Sequence, residues 1–245
     1  VYKRQRFDDA LVHYMQVLPG RDFAAASSRT ANLLIAGDRL DELGGYFDRL
    51  RARHPQAAEQ LYAIEVDNLT GAGQYERALE RLNEALAVTP DSIPLLYSRS
   101  MVGEKTGDLT IMESDLRRII EMDPDNSTAL NALGYTLANR TQRYQEAEEL
   151  ITQALALNPD EPAILDSMGW VKFKLGELEA ALGYLRRAYS AFPDPEVAAH
   201  LGEVLWVTGD REAARTLWNK ALDDDPDHEV LLETLQRLGV ATDAN

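Results

Sequence analysis

A Pro-Asp dipeptide recurs five times in the chain at an almost constant interval. The dipeptides begin at Pro90, Pro124, Pro159, Pro193 and Pro226, so successive copies lie 34, 35, 34 and 33 residues apart. A period of this length is typical of repeat architectures, in which each copy forms one supersecondary unit that packs against its neighbours. The interval therefore favours an array of repeats over independently folded globular domains.

Each interval carries the hydrophobic pattern of two α-helices. In the second helix, called helix B, apolar or small residues recur at spacings of 3, 4 and 3, which place them on one helical face. Examples of these stripes are Tyr144-Ala147-Ile151-Ala154, Leu178-Ala181-Leu185-Ala188 and Arg211-Ala214-Trp218-Ala221, the last of which has an arginine at its first position. A shorter stripe upstream marks helix A. The pattern predicts an all-α fold of helix pairs, with Trp218 in the core.

Glycine and proline separate these helices. Gly37, Gly107, Gly176 and Gly209 stand between helix A and helix B, and we expect each to adopt the left-handed conformation that ends a helix. The Pro-Asp steps close helix B because proline cannot continue a helix. Asp160 and Asp194 each shortly precede another proline, and we expect both to cap the next helix A.

Three further glycines lie inside helix A, at one equivalent position of three repeats. They are Gly134, Gly169 and Gly202, and each follows a leucine or methionine. A glycine inside a helix costs about 1 kcal/mol relative to alanine. Three copies in register therefore predict that another helix approaches closely at this position.

Leu-Gly or Met-Gly in helix A, alanines in helix B and a closing proline together resemble the tetratricopeptide repeat (TPR). The resemblance covers nearly the whole chain and implies an all-α solenoid, a right-handed superhelix of antiparallel helix pairs. It divides a single array over residues 1–245 into a partial repeat (1–23), degenerate repeats (24–58, 59–92, 93–126), well-matched repeats (127–161, 162–194, 195–228) and a capping helix (229–240).

Composition excludes several functions. The chain has no cysteine, which removes thiolate metal sites and cysteine nucleophiles. Its 25 Lys and Arg against 41 Asp and Glu give a net charge of −16, which disfavours nucleic acids and anionic membrane surfaces. Glycine-rich phosphate loops, hydrolase motifs and paired histidines of metal sites are missing from the sequence. We therefore expect neither catalysis nor a metal, a cofactor or a small-molecule substrate.

The resemblance also implies which side chains line the groove that binds protein or peptide ligands in TPR proteins. Carried over position by position, they are Tyr97, Asn131, Tyr135, Asp166, Trp170, Phe173, Lys174, Glu203 and Trp206. Tyr135, Trp170 and Trp206 would anchor a partner, and Asp166 and Glu203 would orient its polar or cationic groups. In the alternative interpretation, Trp170 and Trp206 pack against the neighbouring helix A.

One TPR binding mode is not expected. The carboxylate clamp of TPR proteins that hold acidic C-terminal tails requires lysine and asparagine at set positions of helix A. At those positions this chain has Ala63 with Asp67, Tyr97 with Met101, Asn131 with Tyr135, and Asp166 with Trp170. The groove is therefore expected to suit a neutral or basic segment with apolar anchors.

A closer resemblance concerns three stretches, residues 131–141, 162–176 and 195–210. They are similar to the C-terminal repeats of Gram-negative TPR lipoproteins at the inner face of the outer membrane. Such proteins are adaptors that bring cell-wall hydrolases to a C-terminal processing protease. The resemblance implies a periplasmic location and these two kinds of partner. Because the chain begins at Val1 within a helical pattern, we expect the lipid anchor upstream.

Two other functions are compatible with a repeat array. The chain could be a self-assembling structural module, in which terminal repeats stack between copies. It could also be the repeat arm of a larger multidomain enzyme, such as a glycosyltransferase. A non-catalytic adaptor that binds a peptide or protein is the interpretation favoured here.

Overall fold

The computed structural model describes residues 9–11, 13–15 and 20–240, and from residue 20 onward every regular element in it is a helix. The α-helices are α1 (Phe23–Ala36), α2 (Leu40–Arg53), α3 (Ala58–Gly71), α4 (Tyr75–Val88), α5 (Ile93–Thr106), α6 (Leu109–Met122), α7 (Ser127–Arg140), α8 (Tyr144–Leu157), α9 (Pro162–Lys174), α10 (Leu178–Ala191), α11 (Pro195–Thr208), α12 (Arg211–Asp224) and α13 (Glu229–Leu238). A 3-10 turn, Pro55–Ala57, precedes α3. The prediction of an all-α fold is confirmed.

The chain divides into two compact units, residues 1–119 and 120–245. In the first unit, α3 packs against α1, α2, α4 and α5. In the second, each helix A pairs with the helix B that follows it, as α7 with α8, α9 with α10 and α11 with α12. The helices α7, α9, α11 and α13 also pack side by side. We call these four helices the A-helix layer.

The helix B stripes form the core of residues 120–245. Ala147, Ile151 and Ala154 of α8 are buried, as are Ala181, Leu185 and Ala188 of α10. Trp218 of α12 is 1% exposed, which confirms that it is a core residue. Because the stripe repeats at helical spacing, each helix B buries one continuous face.

The glycines inside helix A mark the closest helix contacts, as predicted. A Cβ atom at Gly134 would lie 2.6 Å from Cγ1 of Ile151, and one at Gly169 would lie 2.5 Å from Cγ of Leu185. At Gly202 it would overlap Nε1 of Trp218. These separations are far below van der Waals contact. In each pair, helix A therefore approaches the third stripe residue of its own helix B.

The turns between helix A and helix B follow the prediction with one exception. Gly107, Gly176 and Gly209 have positive φ angles of 77°, 82° and 98°. Gly37 was wrongly predicted, because its φ is −90° and Asp38 instead takes the left-handed conformation with φ 54°. Aspartate tolerates this conformation better than most residues, so the turn forms one residue later in this repeat.

The two expected aspartate caps also differ. The side chain of Asp194 accepts a hydrogen bond from the backbone N–H of Glu196 at 2.8 Å, so it caps α11 as predicted. Asp160 does not cap α9, which begins after Glu161. Glu161 separates Asp160 from Pro162, whereas Asp194 directly precedes Pro195. Asp160 is exposed and pairs with Arg187 at 3.2 Å.

Candidate binding surface on the A-helix layer

A hydrogen bond on the A-helix layer joins two repeats that are separated by a third. The hydroxyl of Tyr135 on α7 donates to Oε1 of Glu196 on α11 at 2.7 Å. Since α9 lies between α7 and α11 in the packing order, this bond bridges across an intervening helix. Tyr135, predicted to line the groove, remains partly exposed and is held in place at its tip.

A buried cluster lies at the centre of the layer. Nδ1 of His200 on α11 lies 2.9 Å and 3.1 Å from the two carboxylate oxygens of Asp166 on α9. The imidazole also stacks on the indole of Trp170, with ring centroids 4.2 Å apart and planes at 23°. All three side chains are buried, and Trp170 is 4% exposed. Trp170 therefore packs between repeats, as in the alternative interpretation.

The surroundings of His200 favour its protonated form. Burial alone lowers the pKa of an imidazole. Here the charge of Asp166, its hydrogen bond and the charges of Glu196 and Glu203 outweigh burial, so the pKa of His200 is raised above its ordinary value. The protonated imidazole can thus bind α9 to α11 through a charge-assisted hydrogen bond.

A second ion pair joins α11 to α13. Both terminal nitrogens of Arg237 donate to the carboxylate of Glu203, at 2.6 Å and 2.5 Å. Glu203 is buried, and Arg237 is half-exposed. Like Asp166, Glu203 was expected to orient a partner's groups, but its oxygens are engaged within the protein.

Lys174 lies near this pair and close to Trp170. Its ammonium is 4.3 Å from the centre of the Trp170 ring. Burial lowers the pKa of Lys174, the charge of Glu203 opposes this effect, and Arg237 adds to it. A partly exposed lysine on the A-helix layer therefore stands between a buried indole and a buried carboxylate.

The surroundings of Trp206 differ from those of Trp170. Trp206 on α11 is partly exposed, and its ring lies 5.8 Å from the ring of Trp218 on α12. Two guanidinium groups of α12 lie over it, that of Arg211 at 4.8 Å from the ring centre and that of Arg215 at 5.6 Å. Trp206 thus packs against its own helix B while part of its surface stays accessible.

The other predicted residues are partly exposed. Asn131 on α7 has a buried side-chain oxygen without a hydrogen-bond partner. Phe173 on α9 packs at the edge of the core with its ring 5.3 Å from Trp170. Tyr97 on α5 lies in the other compact unit, and burial raises the pKa of its phenol. Whether these residues contact a partner stays a prediction.

Several interactions that shape this surface were not predicted. The pairing of His200 with Asp166 and that of Arg237 with Glu203 each join residues 34 apart, close to one repeat. That spacing was available in the sequence as a signal. Arg211 and Arg215 were overlooked because they belong to helix B, whereas groove positions are assigned to helix A.

A polar pocket of about 290 Å³ lies within residues 1–119. Ser28 and Asn32 on α1 and Asp67, Asn68 and Gly71 on α3 line it, together with Ala72. Ser28 donates to the side-chain oxygen of Asn68 at 3.2 Å, and burial raises the pKa of Asp67. The sequence drew attention to Asp67 only as a departure from the carboxylate clamp.

Two kinds of feature are absent from the described residues. In that part of the chain, no three His, Asp or Glu side chains are grouped so that they could hold a metal ion. None of its helices combines the length and the apolar character needed to cross a bilayer.

Comparison with known proteins identifies the repeats. Residues 113–162 and 167–229 match the family model described as tetratricopeptide repeat. A TPR repeat-containing protein of Pseudomonas aeruginosa is 52% identical over 194 residues, which are 79% of this chain and 33% of that protein. The chain thus spans a third of the length of this curated relative.

Solved structures show the same fold. A thermophilic TPR protein of Thermus thermophilus has a TM-score of 0.65 at 22% identity, over 75% of this chain and all of that one. A TPR protein whose structure is described as having an unusual peptide-binding site, YrrB, has a TM-score of 0.51 at 19% identity, over 78% and 97%. The chain therefore contains TPR repeats in an all-α TPR solenoid, a fold that generally serves as a protein-interaction scaffold.

Proposed function

We propose that this chain, with TPR repeats in residues 113–229, is a non-catalytic adaptor that binds a segment of a partner protein on its A-helix layer. The observation that carries the proposal is that three successive helices of the layer each hold a partly exposed aromatic side chain. These are Tyr135 on α7, Phe173 on α9 and Trp206 on α11. Aromatic side chains of this kind commonly anchor protein interfaces.

The buried contacts beneath these rings support their role. Tyr135 is held by Glu196, and Phe173 contacts Trp170, which is fixed by its stack on His200. A side chain that is already ordered loses little freedom when a partner binds. Asp166, Trp170 and Glu203 would therefore position the surface without contacting the partner directly.

The finer proposal concerns the partners and the compartment. We infer that the chain acts on the periplasmic side of the outer membrane, bringing cell-wall hydrolases to a C-terminal processing protease. The support is the resemblance of residues 131–141, 162–176 and 195–210 to adaptors of that kind. The strong similarity to a protein of Pseudomonas aeruginosa is compatible with this inference.

One experiment addresses both levels of the proposal. The chain is immobilised and used to capture proteins separately from periplasmic and cytosolic extracts, and captured proteins are then purified and titrated. We expect a protease or a hydrolase from the periplasmic extract. Replacing both Tyr135 and Phe173 with alanine should weaken its binding at least tenfold, since each truncated anchor costs about 1 kcal/mol or more.

The control variant is Tyr184→Ala, which removes a partly exposed aromatic ring from α10, outside the A-helix layer. It should bind like the wild-type chain. Circular dichroism must show that all variants keep their helical content. If the double variant is folded and binds as tightly as Tyr184→Ala, the A-helix layer is not the binding surface. Capture from the cytosolic extract alone would contradict the periplasmic location.

A further inference from the structure

Two arginines share one tryptophan ring at the edge of the A-helix layer. Arg211 and Arg215 stand four residues apart at the start of α12, so both side chains lie on one side of that helix. Both guanidinium groups lie within 6 Å of the ring centre of Trp206. The ring and the two cations form one continuous surface, which we call the Trp-Arg site.

Neither guanidinium has an anionic partner within the described part of the chain. The only contact of either group there is its approach to the Trp206 ring. Several buried or partly buried carboxylates of residues 120–245 pair with other cations, as Glu148 does with Lys172 and Glu203 with Arg237. Arg211 and Arg215 are distinguished by their arrangement, because two guanidinium groups without a carboxylate partner lie over the same aromatic ring.

The Trp-Arg site is also open to a partner. Arg211 and Arg215 are exposed, Trp206 is partly exposed, and the neighbouring Val207 is 51% exposed. Each guanidinium keeps its planar set of N–H donors available, a geometry that matches a carboxylate in a two-pronged hydrogen bond. Beside these donors, the indole and the valine offer apolar area. Tryptophan and arginine are the residues most enriched at energetically important interface positions.

We propose that the Trp-Arg site binds a carboxylate-bearing segment of a partner protein, in which a glutamate or aspartate stands beside an apolar side chain. The carboxylate accepts hydrogen bonds from Arg211 and Arg215, and the apolar side chain covers Trp206 and Val207. A long polyanion is excluded as the ligand because the net charge of −16 would repel it. A single carboxylate next to an apolar group complements the positive charge of Arg211 and Arg215 and is repelled less by the acidic chain than a polyanion would be.

This inference rests on the proposed function and deepens it, because it specifies the chemistry of one part of the bound segment. It also modifies the expectation of a neutral or basic ligand. That expectation follows from two observations. The net charge describes the whole chain, and the missing clamp describes positions on helix A only. The two arginines belong to helix B and create a local positive region that the net charge conceals.

The test uses three fluorescein-labelled synthetic peptides that differ only beside a central tryptophan. The first has glutamates there, the second glutamines and the third lysines. Binding to the whole chain is measured by fluorescence anisotropy at low and high ionic strength. We expect the glutamate peptide to bind about tenfold more tightly than the glutamine peptide, and the lysine peptide to bind most weakly. The preference should shrink at high salt.

The variants are Arg211→Gln and Arg215→Gln, singly and together, with Arg186→Gln as the control. Arg186 is an exposed arginine on α10 that has no partner among the described residues and no aromatic ring beneath it. The double variant should bind the glutamate and glutamine peptides equally, and Arg186→Gln should keep the full preference. All three positions are exposed, so we expect the variants to fold, and thermal unfolding checks this.

Three results would overturn the inference. They are equal binding of the glutamate and glutamine peptides to the wild-type chain, an unchanged preference in the double variant, and no measurable binding of the glutamate peptide. The proposed function is judged separately, because the Tyr135 and Phe173 variants test it with captured proteins and leave both arginines intact. Failure of one test therefore does not imply failure of the other.

Discussion

His200 contacts side chains of two other helices of the A-helix layer. It meets Asp166 in a hydrogen bond and Trp170 in a ring stack, and the ring of Tyr135 lies 6.0 Å away. Glu196 and Glu203 add negative charge around it. A neutral imidazole would keep the packing but lose the charge attraction. Protonation of His200 thereby strengthens the contact between α9 and α11.

The raised pKa of His200 predicts that stability falls as the pH rises. Histidine in the unfolded chain has a pKa of about 6.5. The extra stability is therefore fully present below that pH and is lost as the pH rises through the higher pKa of the folded state. Each unit of difference corresponds to about 1.4 kcal/mol. We expect wild-type unfolding in urea to show this loss between about pH 6 and the folded-state pKa.

Two variants test the assignment of this loss to His200. His200→Gln removes the titrating group, and Asp166→Asn keeps the histidine but removes its main anionic partner. Both should flatten the pH dependence of the unfolding free energy, even if both are less stable than the wild-type chain. If either variant loses as much stability with rising pH as the wild-type chain does, another group is responsible.

At the scale of helices, the close approach of helix A to helix B depends on glycine. At Gly202, an added methyl group would overlap Nε1 of Trp218, a large and fully packed side chain. The effect of a glycine-to-alanine substitution on stability therefore depends on the atoms that the added Cβ contacts and not on helix propensity. Gly183 on α10 provides the comparison, because an added Cβ there has no neighbour within 4 Å.

The two glycines should respond oppositely to alanine. Gly202→Ala should destabilise the chain by about 1–3 kcal/mol, since Trp218 has to move within a close-packed core. Gly183→Ala should stabilise it by about 0.5–1 kcal/mol, because alanine restricts the unfolded chain and favours the helix. Urea unfolding of both variants checks the prediction. If both substitutions changed the unfolding free energy equally and in the same direction, helix propensity and not the contact with Trp218 would determine the effect at Gly202.

The helices were more predictable from the sequence than the contacts between their side chains. The spacing of the stripes and of the Pro-Asp steps determines helix positions because helical period and proline geometry are local properties. The burial of Trp170 was left open, because it depends on His200, a residue of the next repeat. The exception at Gly37 has a local cause, since the adjacent Asp38 can also adopt the left-handed conformation. The sequence thus predicted on which helices the candidate residues lie but not which of them are buried, and their contact with a partner stays a prediction.

At the scale of the whole chain, the two compact units differ in where their buried charged side chains lie. Residues 1–119 bury an ionic group in which Glu65 pairs with Arg51 at 2.6 Å and with Arg81 at 3.2 Å. Burial raises the pKa of Glu65 despite these partners. That group joins helix A to two B helices. In residues 120–245 the close contact of helix A with helix B at Gly169 and Leu185 is apolar, and the buried carboxylates of Asp166 and Glu203 instead pair with neighbouring A helices. A buried ion pair stabilises a fold less reliably than apolar packing of the same volume.

This difference predicts a gradient of local stability along the chain. Amide hydrogens in residues 127–228 should exchange more slowly than those in residues 23–58, because the apolar contacts must open before exchange. Hydrogen exchange followed by mass spectrometry measures this directly. Uniform protection along the chain would contradict the prediction and would indicate that the chain unfolds as one cooperative block.

The bond from Tyr135 to Glu196 has a consequence for how such an array changes its number of repeats. Arrays in which each repeat meets only its neighbours can gain or lose a copy, because every junction is interchangeable. Here the hydroxyl and the carboxylate are placed to reach across one intervening helix A. Inserting another pair between α7 and α11 would separate them, and deleting α9 and α10 would crowd them. A change in the number of repeats within this stretch would therefore break the hydrogen bond between Tyr135 and Glu196.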